Sequence, residues 1–164
     1  CGLAHFSQGI YHLTRGEVEQ CTAAAERTVE FAHGAPFETA GGGGILAMVG
    51  QQERSQPLVD WAIHNNPGLP GWIHWASTVN HIQRGEYQQA LLATQRYSLP
   101  ACFWDHLFRA TAQFVAGDDE QAKSSLARAQ QLRPALVERP REMVHRLIPQ
   151  PELQNVLINE VPRL

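Results

Sequence analysis

The stretch GEYQQAL at residues 85–91 contains the signals for a turn between two helices. Glycine at position 85 can adopt the left-handed backbone conformation that ends a helix, and the acidic Glu86 suits the N-terminus of a following helix. Five residues after the glycine, Ala90 is small enough to let two antiparallel helices approach closely. The stretch therefore predicts the middle of a helical hairpin.

This turn recurs along the chain. Glycines stand at Gly16, Gly50, Gly85 and Gly117, with separations of 34, 35 and 32 residues. Each is followed at once by an acidic or amide residue: Glu17, Gln51, Glu86 and Asp118. Five positions after each glycine stands a small side chain: Cys21, Ser55, Ala90 and Ala122. A fixed period near 34 residues indicates an array of helix pairs, which usually serves binding rather than chemistry.

The phase of the repeat sets the expected organisation. It predicts repeats near 2–35, 36–69, 70–101 and 102–135, with Pro67 and Pro134 closing the second helix of their units. Past Pro134 the phase stops, and residues 136–164 are expected to form capping helices over the last repeat, as such arrays require. A tail that fills a groove or mediates dimerisation is the alternative for that segment.

These features resemble the tetratricopeptide repeat (TPR) family over residues 2 to about 135, with residues 85–91 as the closest local match. The stretches NPGLPGW at 66–72, FWDH at 103–106 and PELQNVL at 151–157 are similar to the C-terminal TPR segment of bacterial signalling proteins. The resemblance implies an all-α, right-handed solenoid of about four hairpins. It also implies a protein-interaction scaffold rather than an enzyme, as the regulatory part of a larger bacterial protein. The alternative is an internal structural or self-association segment of a bacterial transcriptional regulator or nucleotide cyclase.

In TPR arrays the first helix of each unit lines a concave groove, and the resemblance transfers those positions to this chain. The candidate groove residues are nearly all apolar: Phe6, Ile10, Phe37, Trp72, Trp75, Val79, Trp104, Leu107 and Phe114. A water-soluble protein rarely exposes such a patch unless it binds something. The expected partner is a hydrophobic peptide or helix, another part of the parent chain, or a second copy. The family's carboxylate-clamping lysines and asparagines are absent from these positions.

Composition bears on binding to nucleic acid or membranes and on the cellular compartment. The net charge of −3 and the single lysine, Lys123, provide no basic surface for nucleic acid or for an anionic membrane. No apolar run is long enough to span a bilayer. Three cysteines without short spacing fit a reducing cytoplasm. The chain opens on Cys1 in a helical pattern, which suggests a fragment of a longer protein; an acylated lipoprotein is the alternative, although no polar tether follows the cysteine.

Two sequence features, a run of glycines and a set of histidines, do not predict phosphate binding or metal binding. The glycines at 41–44 lack the flanking pattern of a phosphate-binding loop and fall inside a helix, where each costs about 1 kcal/mol relative to alanine. They predict a weak or kinked helix, with a packing reason for Gly43 alone. The histidines are spaced too widely to share a metal ion, and His5, His74 and His106 are interpreted as substitutes for packed aromatics. No catalytic residue, metal site or cofactor is predicted.

Overall fold

The computed structural model describes residues 1–134 and residue 151, and residues 1–134 form an all-helical array without strands. The helices are α1 (Gly2–Arg15), α2 (Val18–Glu30), α3 (Pro36–Met48), α4 (Gln52–Asn65), α5 (His74–Gln83), α6 (Tyr87–Thr94), α7 (Phe103–Val115) and α8 (Asp119–Leu132). A short 3-10 helix at Gly71–Ile73 leads directly into α5. The all-α prediction is confirmed, whereas the expected capping helices at 136–164 lie outside the described residues.

The repeated glycines are the turns of four hairpins. Gly16, Gly50, Gly85 and Gly117 have φ angles of 71°, 81°, 73° and 85°, which is the left-handed region that glycine adopts at low cost. Each follows the first helix of its hairpin, and its backbone N–H bonds to a carbonyl in the last turn of that helix, as Gly16 does to Leu13 at 3.1 Å. The repeat signal therefore predicted the hairpins correctly.

Packing between hairpins builds two layers. Within each pair the two helices lie against one another, and α1 contacts α3, α3 contacts α5, and α5 contacts α7. We call this row of first helices (α1, α3, α5 and α7) the first-helix layer. Contacts between one hairpin and the next produce a helical solenoid. None of the helices in the described part of the chain is long and apolar enough to cross a membrane.

The small residues after each turn lie where the paired helices meet. Cys21, Ser55, Ala90 and Ala122 all have 0% of their surface exposed. Larger side chains at these positions would push the two helices apart, because protein interiors are packed without spare volume. The burial of all four positions agrees with the predicted helix contact, which is direct at Cys21, whose Sγ donates to the Gly9 carbonyl of α1 at 3.4 Å.

The Ala90→Leu variant tests this register. We expect it to lower the free energy of unfolding by about 1–3 kcal/mol, because the added carbons overpack the contact between α5 and α6. The adjacent Gln89, which is exposed, provides the control: Gln89→Leu is expected to leave stability nearly unchanged. Equal melting temperatures for the two variants would show that Ala90 does not lie at the helix contact.

The glycines at 41–44 lie in a continuous helix, whereas the sequence predicted a weak or kinked helix there. Helix α3 continues without interruption through Gly41–Gly44, all four of which are buried. A β-carbon on Gly41 would lie 2.9 Å from the ring of Phe6, and one on Gly42 would lie 2.6 Å from Val29. Gly43 is similarly close to Val59, at 3.0 Å, whereas a β-carbon on Gly44 would meet open space. Three glycines, and not Gly43 alone, thus allow neighbouring helices to contact the α3 backbone.

Candidate functional site

A cavity of about 250 Å³ lies between the start of α5 and the start of α7. Indole rings supply much of its wall: Trp72 and Trp75 from the α5 side and Trp104 from α7. The rest of the lining comes from Tyr97, Leu99, Cys102, Asp105 and Phe108. We call this space the aromatic cavity. Three of the chain's four tryptophans thus meet at one point of the first-helix layer.

Ring contacts connect the cavity wall. The Phe108 ring stacks on Trp104 at 5.5 Å between centroids and lies 5.4 Å from Trp75 at a tilt. Phe103 lies 4.5 Å from Trp104 on the outer side of the group. Offset and tilted ring pairs of this kind are favourable beyond the area that they bury. The wall is therefore a packed group of rings rather than a set of independent side chains.

Trp72 extends this aromatic group toward the first two hairpins. Its ring stacks on Phe6 at 6.3 Å and meets Phe37 edge-on at 5.7 Å. Side chains from α1, α3 and the 3-10 helix are thereby joined. The structure thus brings together five of the nine predicted groove residues, since Trp75 and Trp104 line the cavity beside Trp72.

The other four predicted residues are placed differently. Val79 and Leu107 belong to the core, with 0% and 3% of their surfaces exposed, and therefore offer a partner little surface. Ile10 is half-buried and packs against that core. Phe114 is half-buried near the end of α7. On α7 the residue that lines the cavity is Phe108, the neighbour of the predicted Leu107.

Sequence reasoning missed several wall residues. Phe108 follows Trp104 by four positions, so the two share one face of α7, and that spacing was available in the sequence. Tyr97 and Leu99 lie in the loop after α6, which ends at Thr94, and no signal in the repeat phase marked that loop as cavity wall. A β-carbon on Gly71 would lie 3.3 Å from that of Tyr97, so the absence of a side chain there lets the loop approach the 3-10 helix.

A buried ion pair holds this loop in place. Asp105 is 3% exposed and accepts hydrogen bonds from the Leu99 backbone N–H and from Arg109, the latter at 2.7 Å. Arg109 also donates to the carbonyls of Thr94 and Tyr97, at 2.8 and 3.0 Å. Its guanidinium lies 5.4 Å from the centre of the Tyr97 ring. The carboxylate at the cavity is thus neutralised by a cation that also fixes the loop backbone.

Two ionisable groups, Tyr97 in the wall and His74 next to it, are held in their neutral forms. Burial raises the pKa of Tyr97 to about 12, so its hydroxyl, which lies 3.4 Å from that of Thr78, remains protonated. Burial also lowers the pKa of His74, next to Trp75 in sequence, and the Arg96 cation lowers it further. The Nδ1 atom of His74 is buried and makes no hydrogen bond to a described residue. The site therefore favours uncharged, apolar contacts.

The lowered pKa of His74 has a testable effect on stability. An unfolded chain, with a histidine pKa near 6.5, binds the proton more tightly than the folded chain does. Stability should therefore fall as the pH decreases from above that value toward the lower folded pKa. We expect His74→Gln to flatten this part of a stability–pH profile measured by urea unfolding. The exposed His64 provides a control, and a profile that changes equally in His64→Gln would contradict the assignment.

The three cysteines differ in accessibility, which makes one of them a reporter for the cavity. Cys102 is half-buried and lines the aromatic cavity. Cys1 is exposed, whereas Cys21 is buried and its pKa is raised to about 12 by that burial. Because the thiolate is the reactive form, Cys21 should not react with alkylating reagents near neutral pH.

Several histidines in the described part of the chain contact aromatic rings or acidic side chains. His5 stacks on Phe31 at 5.2 Å, in keeping with its interpretation as an aromatic substitute. His12 and His81 pair with Glu17 and Glu86, at 2.7 and 2.6 Å, across the turns of the first and third hairpins. Within residues 1–134, no three histidine, cysteine or acidic side chains cluster as metal ligands would.

Comparison with known structures supports the fold. A solved structure titled "MamA MSR-1 C2", a TPR-containing protein, matches this chain with a TM-score of 0.58 and 16% sequence identity. The match covers 99% of this chain and 97% of the other. At that identity the likeness concerns the fold alone, which is a TPR-like helical solenoid. No protein-family model matches the chain, and no curated protein matches it in sequence.

Proposed function

We propose that this chain is an interaction module whose first-helix layer binds a hydrophobic helix or extended peptide of a protein partner. The observation that carries the proposal is the aromatic cavity, where Trp72, Trp75 and Trp104 surround an apolar space of about 250 Å³. Seven of the predicted residues form the proposed groove surface: Phe6, Ile10, Phe37, Trp72, Trp75, Trp104 and Phe114. The predicted Val79 and Leu107, together with Phe108, support that surface from the core. The TPR-like fold supports this function, since helical solenoids present extended binding surfaces.

The size and chemistry of the cavity suit a side chain better than a small molecule. Pockets for drug-sized ligands usually measure roughly 300–1,000 Å³, so this space suits one large apolar side chain of a peptide. Tryptophan contributes a large contact area with few rotatable bonds, and it is enriched among the residues that dominate binding energy. The neighbouring rings of Phe6 and Phe37 then give the rest of an apolar helix a surface to follow.

The biological setting is part of the same proposal. The resemblance to C-terminal TPR segments favours the regulatory part of a larger bacterial signalling protein, acting in the cytoplasm as a scaffold and not as an enzyme. Residues 136–164 would cap the last hairpin. Self-association through the same groove is the alternative, and light scattering at several concentrations distinguishes a monomer from a concentration-dependent dimer.

Alkylation of Cys102 tests whether the cavity is the binding site. The probe is an acetylated amphipathic peptide of glutamine and alanine with leucines at i, i+3, i+4 and i+7, the spacing of one apolar helix face. We expect saturating peptide to slow the reaction of Cys102 with iodoacetamide several-fold, while exposed Cys1 reacts at its original rate. Equal rates with and without bound peptide would place binding elsewhere and refute the proposal.

A further inference from the structure

Two arginines stand beside the aromatic cavity without an acidic partner. The loop residue Arg96 directly precedes the wall residue Tyr97, and its backbone carbonyl would lie 3.5 Å from a β-carbon on Gly71, the residue before Trp72. The guanidinium of Arg133, just after α8, lies 5.7 Å from the centre of the Phe103 ring, which packs on Trp104. Neither arginine forms an ion pair with a described residue, unlike Arg15, Arg54, Arg84 and Arg109.

The local charge at the cavity therefore differs from that of the whole chain. The chain carries a net charge of −3, yet the carboxylate that lines the cavity, Asp105, is already paired with Arg109. Among the described residues, what remains there is the positive charge of Arg96 and Arg133. An apolar space with such cations beside it complements a ligand that is itself apolar with acidic flanks.

We propose that the partner segment is acidic as well as apolar. A large apolar side chain enters the aromatic cavity, and carboxylates within a residue or two of it approach Arg96 and Arg133. This inference rests on the proposed function and names the class of peptide that the groove selects. The cavity supplies the attraction for the apolar side chain, and the arginines supply the preference among apolar segments.

A cationic ligand is the main competitor, because indole faces attract ammonium groups. Arg96 and Arg133 have no acidic partner among the described residues, and like charges brought close together repel one another. Asp105 and Arg109 form a neutral pair, so that carboxylate leaves no net negative charge to attract an ammonium group. The charges at the site therefore favour an acidic peptide.

Three probe peptides with the same leucine spacing, flanked by glutamates, glutamines or lysines, test the preference by calorimetry on the full chain. We expect the glutamate peptide to bind about tenfold more tightly than the lysine peptide at low salt, with the glutamine peptide between them. The difference should shrink in 1 M NaCl, where the screening length falls to about 3 Å. In Arg96→Gln/Arg133→Gln the three affinities should converge. Arg27→Gln/Arg128→Gln provides the control, because these two arginines also lack an acidic partner among the described residues. Arg27 lines a different pocket, with Gln8 and His12, and Arg128 bonds to Gln131 on α8.

Each contrary outcome has a distinct meaning. Equal binding of the three peptides, or tighter binding of the lysine peptide, would overturn the acidic preference while leaving the apolar groove intact. A preference that survives in Arg96→Gln/Arg133→Gln, or disappears in the control, would assign it to other residues and refute the inference. Failure of all three peptides to bind would refute the proposed function together with this inference.

Discussion

The Arg109→Met variant is expected to unfold with about 3 kcal/mol less free energy than the wild type, as judged by urea titration. Removing the guanidinium leaves the Asp105 carboxylate, only 3% exposed, without its cation. It also removes the donor to the carbonyls of Thr94 and Tyr97. The expected loss lies at the lower end of the range for broken buried pairs because the Arg109 side chain is itself 23% exposed and water can reach the site.

Two further variants complete this test. Arg54→Met breaks an ion pair with Glu26 in which both side chains are about half exposed, and it should cost less than 1 kcal/mol. The double variant Arg109→Met/Asp105→Leu should regain part of the lost stability, since it removes the unpaired charge as well. A loss in Arg109→Met no greater than that in Arg54→Met would show that this pair does not hold the loop.

Trp75→Ala is expected to lower the free energy of unfolding by about 3–5 kcal/mol, because the indole packs against Phe108 and the core. It should also weaken binding of the apolar probe peptide by about 2 kcal/mol or more, since the indole lines the cavity. Both quantities are measured on one variant, with circular dichroism to confirm that its helices persist. Trp61→Ala is the control, because Trp61 is 41% exposed on α4 and does not line the cavity. Lost stability with unchanged affinity would show that Trp75 serves the core alone.

The sequence predicted the hairpins well because their signals are local. A glycine that ends a helix and an acid that begins the next stand side by side, so each turn can be recognised without knowledge of the rest of the fold. The prolines gave similar information: α4 and α8 end at Asn65 and Leu132, two residues before Pro67 and Pro134. Repetition of these signals at one period then fixed the order of the helices.

Contacts between distant segments were harder to predict. Gly41 and Gly42 are explained by Phe6 and Val29, which belong to other helices and have no fixed spacing from the run. The i, i+4 spacing of Asp105 and Arg109 is visible in the sequence. Their bonds to the backbone of Thr94, Tyr97 and Leu99 depend on how the loop after α6 packs against α7. The cavity was therefore predicted through its tryptophans, and its loop wall and buried ion pair were not.

The groove positions transferred from the TPR resemblance to α7 differ in their surroundings, since Trp104 lines the cavity and Leu107 does not. Leu107 was assigned to the groove, whereas its neighbour Phe108 lines the cavity and Leu107 packs in the core. Both residues belong to the core, with 0% of Phe108 and 3% of Leu107 exposed, and Phe108 also forms part of the cavity wall. The i, i+4 relation between Trp104 and Phe108 is the better guide to this face.

Filling the aromatic cavity from within tests the central claim most directly. Cys102→Phe places a ring in the cavity, and exposed Ala101→Phe adds the same ring beside it. The groove hypothesis predicts that Cys102→Phe binds the glutamine-flanked peptide at least tenfold more weakly than the wild type does. The melting temperature of Cys102→Phe should not be lowered. Ala101→Phe should bind the peptide with the affinity of the wild type. Undiminished affinity in Cys102→Phe would contradict the hypothesis that the aromatic cavity is the binding site.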